Sequence, residues 1–135
     1  MNASSDAPLA GQSILVVEDA YLIAADVGRT LKRAGALVVG PVAYIQQALD
    51  AIQSAAIDAA VLDVNLDGVL SFPVATELER RSIPYLFTTG YEHWSLPDRW
   101  RRVIRIDKPF SQSDLVGALG RMLGPVVVPK DGEAN

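Results

Sequence analysis

Three acids, a hydroxyl and an ammonium stand at the ends of separate apolar runs. Asp63 closes Ala59-Ala60-Val61-Leu62, and Glu18-Asp19 follows Ile14-Leu15-Val16-Val17. Thr89 closes Tyr85-Leu86-Phe87-Thr88, and Lys108 comes soon after Val103-Ile104-Arg105-Ile106. If these runs are parallel strands of one sheet, the five groups meet at the edge where open α/β sheets build their sites. Mg²⁺ is a hard ion that prefers oxygen ligands and keeps several waters. Asp19 and Asp63 can supply carboxylate oxygens, the longer Glu18 can act through a water, and the backbone carbonyl of Asn65 can add another ligand. An aspartate can attack phosphorus and form an aspartyl phosphate. Catalysis of such a transfer is mainly positioning and charge neutralisation. Lys108 and the metal would balance the phosphoryl oxygens, Thr89 would hydrogen-bond one of them, and Gly90 would leave room for the donor.

The elements that must position these groups alternate along the chain. Residues 13–17 read as a buried strand, and 20–34 as a helix whose face is Ile23, Val27, Leu31 and Ala34. Gly35 stops that helix. Residues 37–39 form strand two, ended by Gly40-Pro41, and 44–54 form helix two. Strand three carries Asp63, and Asp67-Gly68 is a turn signal. Helix three covers 72–81 with Pro73 in its first turn. Pro84 lacks an amide hydrogen and belongs at the start of strand four. Pro97 sits where a fourth helix would have its middle, so 91–100 predicts a short or broken helix or an ordered loop. Strand five is 102–106, where Arg105 fits an edge. The last helix opens on the capping pattern Ser111-Gln112-Ser113-Asp114 and stops at Gly124-Pro125. Right-handed crossovers turn five strands and five helices into a doubly wound parallel sheet of order 2-1-3-4-5. The boundaries predict an N-terminal extension (1–12), one domain (13–124) and a C-terminal tail (125–135).

Bulk properties narrow the function. A chain of 135 residues, half of them hydrophobic, has the size and core of one domain. Net charge is -4 without a long single-sign block, which argues against nucleic acid as a partner. There is no cysteine, so disulfides, zinc-thiolate sites and thiol catalysis are excluded. No signal peptide and no membrane-spanning run is read, and a cytoplasmic protein without membrane association is the expectation.

With these residues in this order, the chain resembles the receiver domain of bacterial two-component response regulators, across about residues 13–123. The resemblance implies the flavodoxin-like receiver fold, Glu18 and Asp19 as the acidic pair, and Asp63 as phosphoacceptor. It also implies Asn65 as carbonyl ligand to Mg²⁺, Thr89 as switch hydroxyl, and Lys108 as the lysine of a cis Lys-Pro bond. Implied partners are a sensor histidine kinase or histidine phosphotransfer protein, and a downstream protein. The chemistry is self-catalysed phosphoryl transfer and dephosphorylation, with no separate substrate turned over. No output domain fits in the remaining residues, so a stand-alone regulator would signal by partner binding or phosphorelay. Receivers usually carry Tyr or Phe three residues before the lysine; here it is Arg105. The segment from Pro84 to Tyr91 is similar to the Pro-Phe-x-Phe-Ala-Thr-Gly pattern of an atypical receiver subset.

Competing readings are weaker. Asp63 to Gly68 begins like a calcium-binding EF-hand loop, but Val74 stands where its twelfth-position glutamate is needed. An aspartyl phosphatase would need an acid where Asn65 stands. A flavin module of similar topology would have its phosphate repelled by Glu18-Asp19. A phosphorylation-independent pseudo-receiver is the principal alternative, motivated by Arg105. His93 reads as a surface residue. The run from Arg99 to Arg102 reads as a solvated edge or protein contact. Tyr21, Leu22 and Ala25 are either packed at the helix edge or a docking surface for a helical kinase domain.

Overall fold

Short β-rich runs separated by amphipathic segments fold as strands and crossover helices in turn. The computed structural model describes residues 7–90 and 96–124. In order, these give β1 (Ser13–Val17), α1 (Tyr21–Arg33), β2 (Leu37–Val42), α2 (Ile45–Ser54) and β3 (Ala59–Asp63). A small hairpin follows, β4 (Asn65–Leu66) and β5 (Val69–Leu70), then α3 (Phe72–Arg80) and β6 (Tyr85–Thr89). The 3-10 turn Asp98–Trp100, β7 (Arg105–Asp107) and α4 (Gln112–Leu123) complete the fold.

Five strands pair in parallel in the order β2-β1-β3-β6-β7. This is the expected 2-1-3-4-5 sheet once the separate hairpin is set aside. Alternation sends each strand's side chains to two cores. Leu15, Val17, Ala60, Leu62 and Phe87 face α2 and α3, with Ala48, Ile52, Val74 and Leu78. Ile14, Val16, Ala59, Val61 and Leu86 face α1 and α4, with Leu31, Leu115 and Leu119. Strands buried on both sides explain the unbroken apolar runs. Each fully buried Leu or Val contributes about 1.5–3 kcal/mol relative to exposure.

Local chemistry sets the ends. Ser111 Oγ accepts from Asp114 N–H at 3.0 Å and caps α4. Gly35, at φ +95°, lets the chain leave α1; an added Cβ would lie 2.9 Å from the Ala7 Cβ. The hairpin turns on Asp67 (φ 52°) and Gly68 (φ 89°), the positive pair that a tight two-residue turn demands.

Several expectations need correction. β2 does not end at Gly40-Pro41 but continues to Val42, with an irregularity against β1 between Leu15 and Val17. Gly40 makes this possible: at φ +95° its backbone lies so close that a Cβ would meet Val42 N at 2.8 Å. The last strand is Arg105–Asp107, later than 102–106, because the chain is still turning at Val103, whose N–H bonds Trp100 O. The segment 91–100, which predicts a short or broken helix or an ordered loop, carries in its described part the 3-10 turn Asp98–Trp100 after Pro97, beside four α-helices among the described residues. Residues 91–95, including His93, and the tail 125–135 lie outside the described residues. Within the N-terminal extension, residues 7–12 pack onto the domain: Leu9 is fully buried and its N–H bonds Ala34 O at 2.9 Å.

Candidate functional site

The sheet register brings the separate strand ends together. Val17 pairs with Leu62, so Glu18 and Asp63 emerge side by side. Asp63 pairs with Thr88, and Thr89 with Asp107. The N–H of Lys108 donates to Thr89 O at 2.7 Å, which carries the lysine round toward the same edge. The Lys108-Pro109 bond is cis, as expected.

Asp63 is 4% exposed, and both of its carboxylate oxygens are engaged. Lys108 Nζ donates to Asp63 Oδ2 at 2.7 Å and lies 2.8 Å from Glu18 Oε1. Asn65 N–H donates to Asp63 Oδ1 at 3.1 Å, and Ala20 N–H to Glu18 Oε2 at 3.0 Å. Carboxylate oxygens of Glu18, Asp19 and Asp63 lie within 4.8 Å of one another. A cleft of about 730 Å³ opens over them, with Asn65, Gly90 and Phe110 in its wall.

Three carboxylates facing one ammonium leave excess negative charge. Burial raises the Glu18 carboxyl above its usual range; the Asp63 charge adds to that, while Lys108 opposes it. Burial and the Glu18 charge raise Asp19 too. For Lys108, burial works against the ammonium, but the bonds to Asp63 and Glu18 outweigh it and its pKa is raised. A hard divalent cation with oxygen ligands fits such a donor set, and Glu18, Asp19 and Asp63 are the side chains that would hold it. Asn65 lines the same cleft beside Asp63.

The structure thus brings Glu18, Asp19, Asp63, Asn65 and Lys108 into one site. Thr89 stands at its margin, its hydroxyl donated to Asp107 Oδ1 at 2.6 Å. Arg105 is exposed, with Nε 3.4 Å from Asp107 Oδ1. Ser71 escaped the sequence reading. Fully buried, it donates its hydroxyl to the Asp63 carbonyl at 2.6 Å, pinning the backbone of the strand end. A serine before Phe72-Pro73 reads as a helix cap, yet no side-chain cap bond forms.

The family model for the response regulator receiver domain matches residues 14–119. The chain belongs to that family. The receiver domain is similar in structure to SdrG from Sphingomonas melonis Fr1, at 37% identity and a TM-score of 0.76, covering 92% of this chain and 100% of that one. It is similar to the BeF3-activated conformation of SdrG from Pseudomonas melonis Fr1, at 38% identity and a TM-score of 0.73, covering 85% and 98%. A third relative is the receiver domain of the sensor histidine kinase PA1611 from Pseudomonas aeruginosa PAO1, with a magnesium ion coordinated in its active-site cleft. Identity there is 25% and the TM-score 0.69, covering 85% of this chain and 99% of that one. No curated protein matches the chain. As a receiver domain, it is a module of two-component signalling. No helix among the described residues is long and apolar enough to cross a membrane.

Proposed function

We propose that this receiver takes a phosphoryl group from a phosphohistidine onto Asp63. One observation carries the reading: a buried aspartate at a strand end, bonded to Lys108 and flanked by two further carboxylates over an open cleft. An Asp63 carboxylate oxygen attacks phosphorus, the P–N bond to the donor breaks, and the imidazole leaves with the electron pair. Lys108, already at hydrogen-bond distance from Asp63, moves its charge to the phosphoryl oxygens as they arrive. Ser71 and Asn65 hold the Asp63 backbone and side chain in line during the transfer. Thr89 supplies a hydroxyl to one phosphoryl oxygen. Held by Glu18, Asp19, Asp63 and the Asn65 carbonyl, Mg²⁺ would neutralise charge on the group in transfer.

The donor is a sensor histidine kinase or a histidine phosphotransfer protein, and output runs through a downstream protein or onward phosphorelay. The chain acts in the cytoplasm, without nucleic acid or membrane, and is not an enzyme toward a separate substrate. The run Pro84 to Gly90 supports a place in the atypical Phe-Ala-Thr-Gly subset. Arg105, where receivers carry an aromatic, favours one second reading: a pseudo-receiver that binds its partner irrespective of phosphorylation.

Intact-mass spectrometry after incubation with acetyl phosphate and Mg²⁺ tests the reading. One phosphoryl adduct is expected, absent in Asp63→Ala and absent in chelator. Partner binding undisturbed by Asp63→Ala would instead establish the pseudo-receiver.

A further inference from the structure

Thr89 has the group needed at the phosphoryl site, yet that group is committed elsewhere. Its hydroxyl donates to Asp107 Oδ1 at 2.6 Å. The two residues are direct partners in the β6–β7 register, so the contact follows from strand pairing. Arg105 lies two residues before Asp107 on the same strand, hence on the same face, with Nε 3.4 Å from the same oxygen. A hydroxyl carries one proton. While that proton is given to Asp107, it is not available to an oxygen at Asp63.

We infer that Asp107 is a positioning residue for phosphoryl capture: it holds the Thr89 hydroxyl in the resting chain, and a phosphoryl group on Asp63 must compete with it. The inference rests on the phosphoacceptor reading above. Arg105 keeps the Asp107 carboxylate beside Thr89 and so tightens the hold. The contact is solvent-exposed, which makes it a weak, reversible latch. Among the described residues, β7 is a three-residue edge strand paired only with β6. When Thr89 turns to the phosphoryl group, Asp107 and Arg105 are released at that exposed edge. The state of Asp63 is thereby written onto the surface as a rearranged ion pair, with no aromatic side chain required.

The test is a double-mutant cycle on the full chain, with beryllofluoride as the phosphoryl stand-in at saturating Mg²⁺. Affinity is read from amide shifts of Asp63 and Lys108, and thermal melts verify folding. Asp107→Ala is expected to tighten beryllofluoride binding about three- to tenfold, the scale of one exposed charge-assisted hydrogen bond. Asp107→Asn, which keeps size and a weaker acceptor, should move the same way by less. In a Thr89→Val background the Asp107 effect should vanish. Equal tightening in both backgrounds would mean simple removal of a nearby negative charge and would overturn the latch. No tightening with Thr89 present would overturn it as well. A folded wild-type chain that does not bind beryllofluoride at all would instead sink the phosphoacceptor reading itself.

Discussion

Removing the Lys108 ammonium should destabilise the metal-free domain and make it depend on Mg²⁺. Lys108→Met keeps most of the side-chain stem and deletes the charge. Two charge-assisted contacts go, at 2.7 Å to Asp63 and 2.8 Å to Glu18, in a pocket where the lysine side chain is 16% exposed. Hydrogen bonds to charged groups contribute about 1.5–3 kcal/mol net each. With a discount for the open cleft, the loss comes to about 2–4 kcal/mol. For a domain of this size that is a fall in Tm of about 8–16 °C. The two carboxylates then face each other unpaired, so a divalent cation should recover more stability in the variant than in the wild type. Circular dichroism melts of both proteins, in chelator and in saturating MgCl2, give the four values needed. A fall of less than about 2 °C in chelator would refute the stated strength of the buried ion pair. Equal Mg²⁺-induced shifts in the two proteins would show that the lysine and the cation do not act on the same charge.

Two further outcomes follow from the geometry. Because burial, then the charge of Asp63, holds the Glu18 carboxyl above its usual range, its ionisation opposes folding in the metal-free chain. That penalty is present above the folded-state pKa and is relieved as pH falls through it. Glu18→Gln should therefore melt higher than the wild type in chelator near pH 7–8, with the advantage shrinking on acidification; an advantage constant with pH would contradict the assignment. Trp100, 5% exposed, stacks on Phe72 at 5.1 Å and meets Phe87 edge-on at 6.1 Å. Trp100→Ala should cost about 3–5 kcal/mol and remove much of the near-ultraviolet dichroism, and a variant as stable as the wild type would mean that this stack does not anchor the 3-10 turn.

Five of the positions that carry chemistry could be read from the chain because each follows or closes an apolar run. A strand buried on both faces betrays itself by continuous hydrophobicity, and crossover handedness then dictates which strand ends are neighbours. Asp63, Glu18, Asp19, Asn65 and Lys108 needed nothing more to be placed at one edge. Helix ends were legible for a similar reason: Gly35 and Ser111 act on the backbone within a few residues of themselves. What remained hidden depended on register and packing between distant segments. Ser71 looks like a cap until the chain folds back and sets its hydroxyl against the Asp63 carbonyl, eight residues away. Asp107 looks like a solvated acid until the β6–β7 register sets it against Thr89, eighteen residues away. β2 runs through Gly40-Pro41 because an edge strand tolerates a missing amide hydrogen, whereas a Gly-Pro pair read locally looks like the end of a strand. The sequence alone determined the fold and the acidic site, because burial is written residue by residue in side-chain type. Only the tertiary structure decided who restrains Thr89 and who anchors Asp63, because hydrogen bonds are decided by which distant backbones lie side by side.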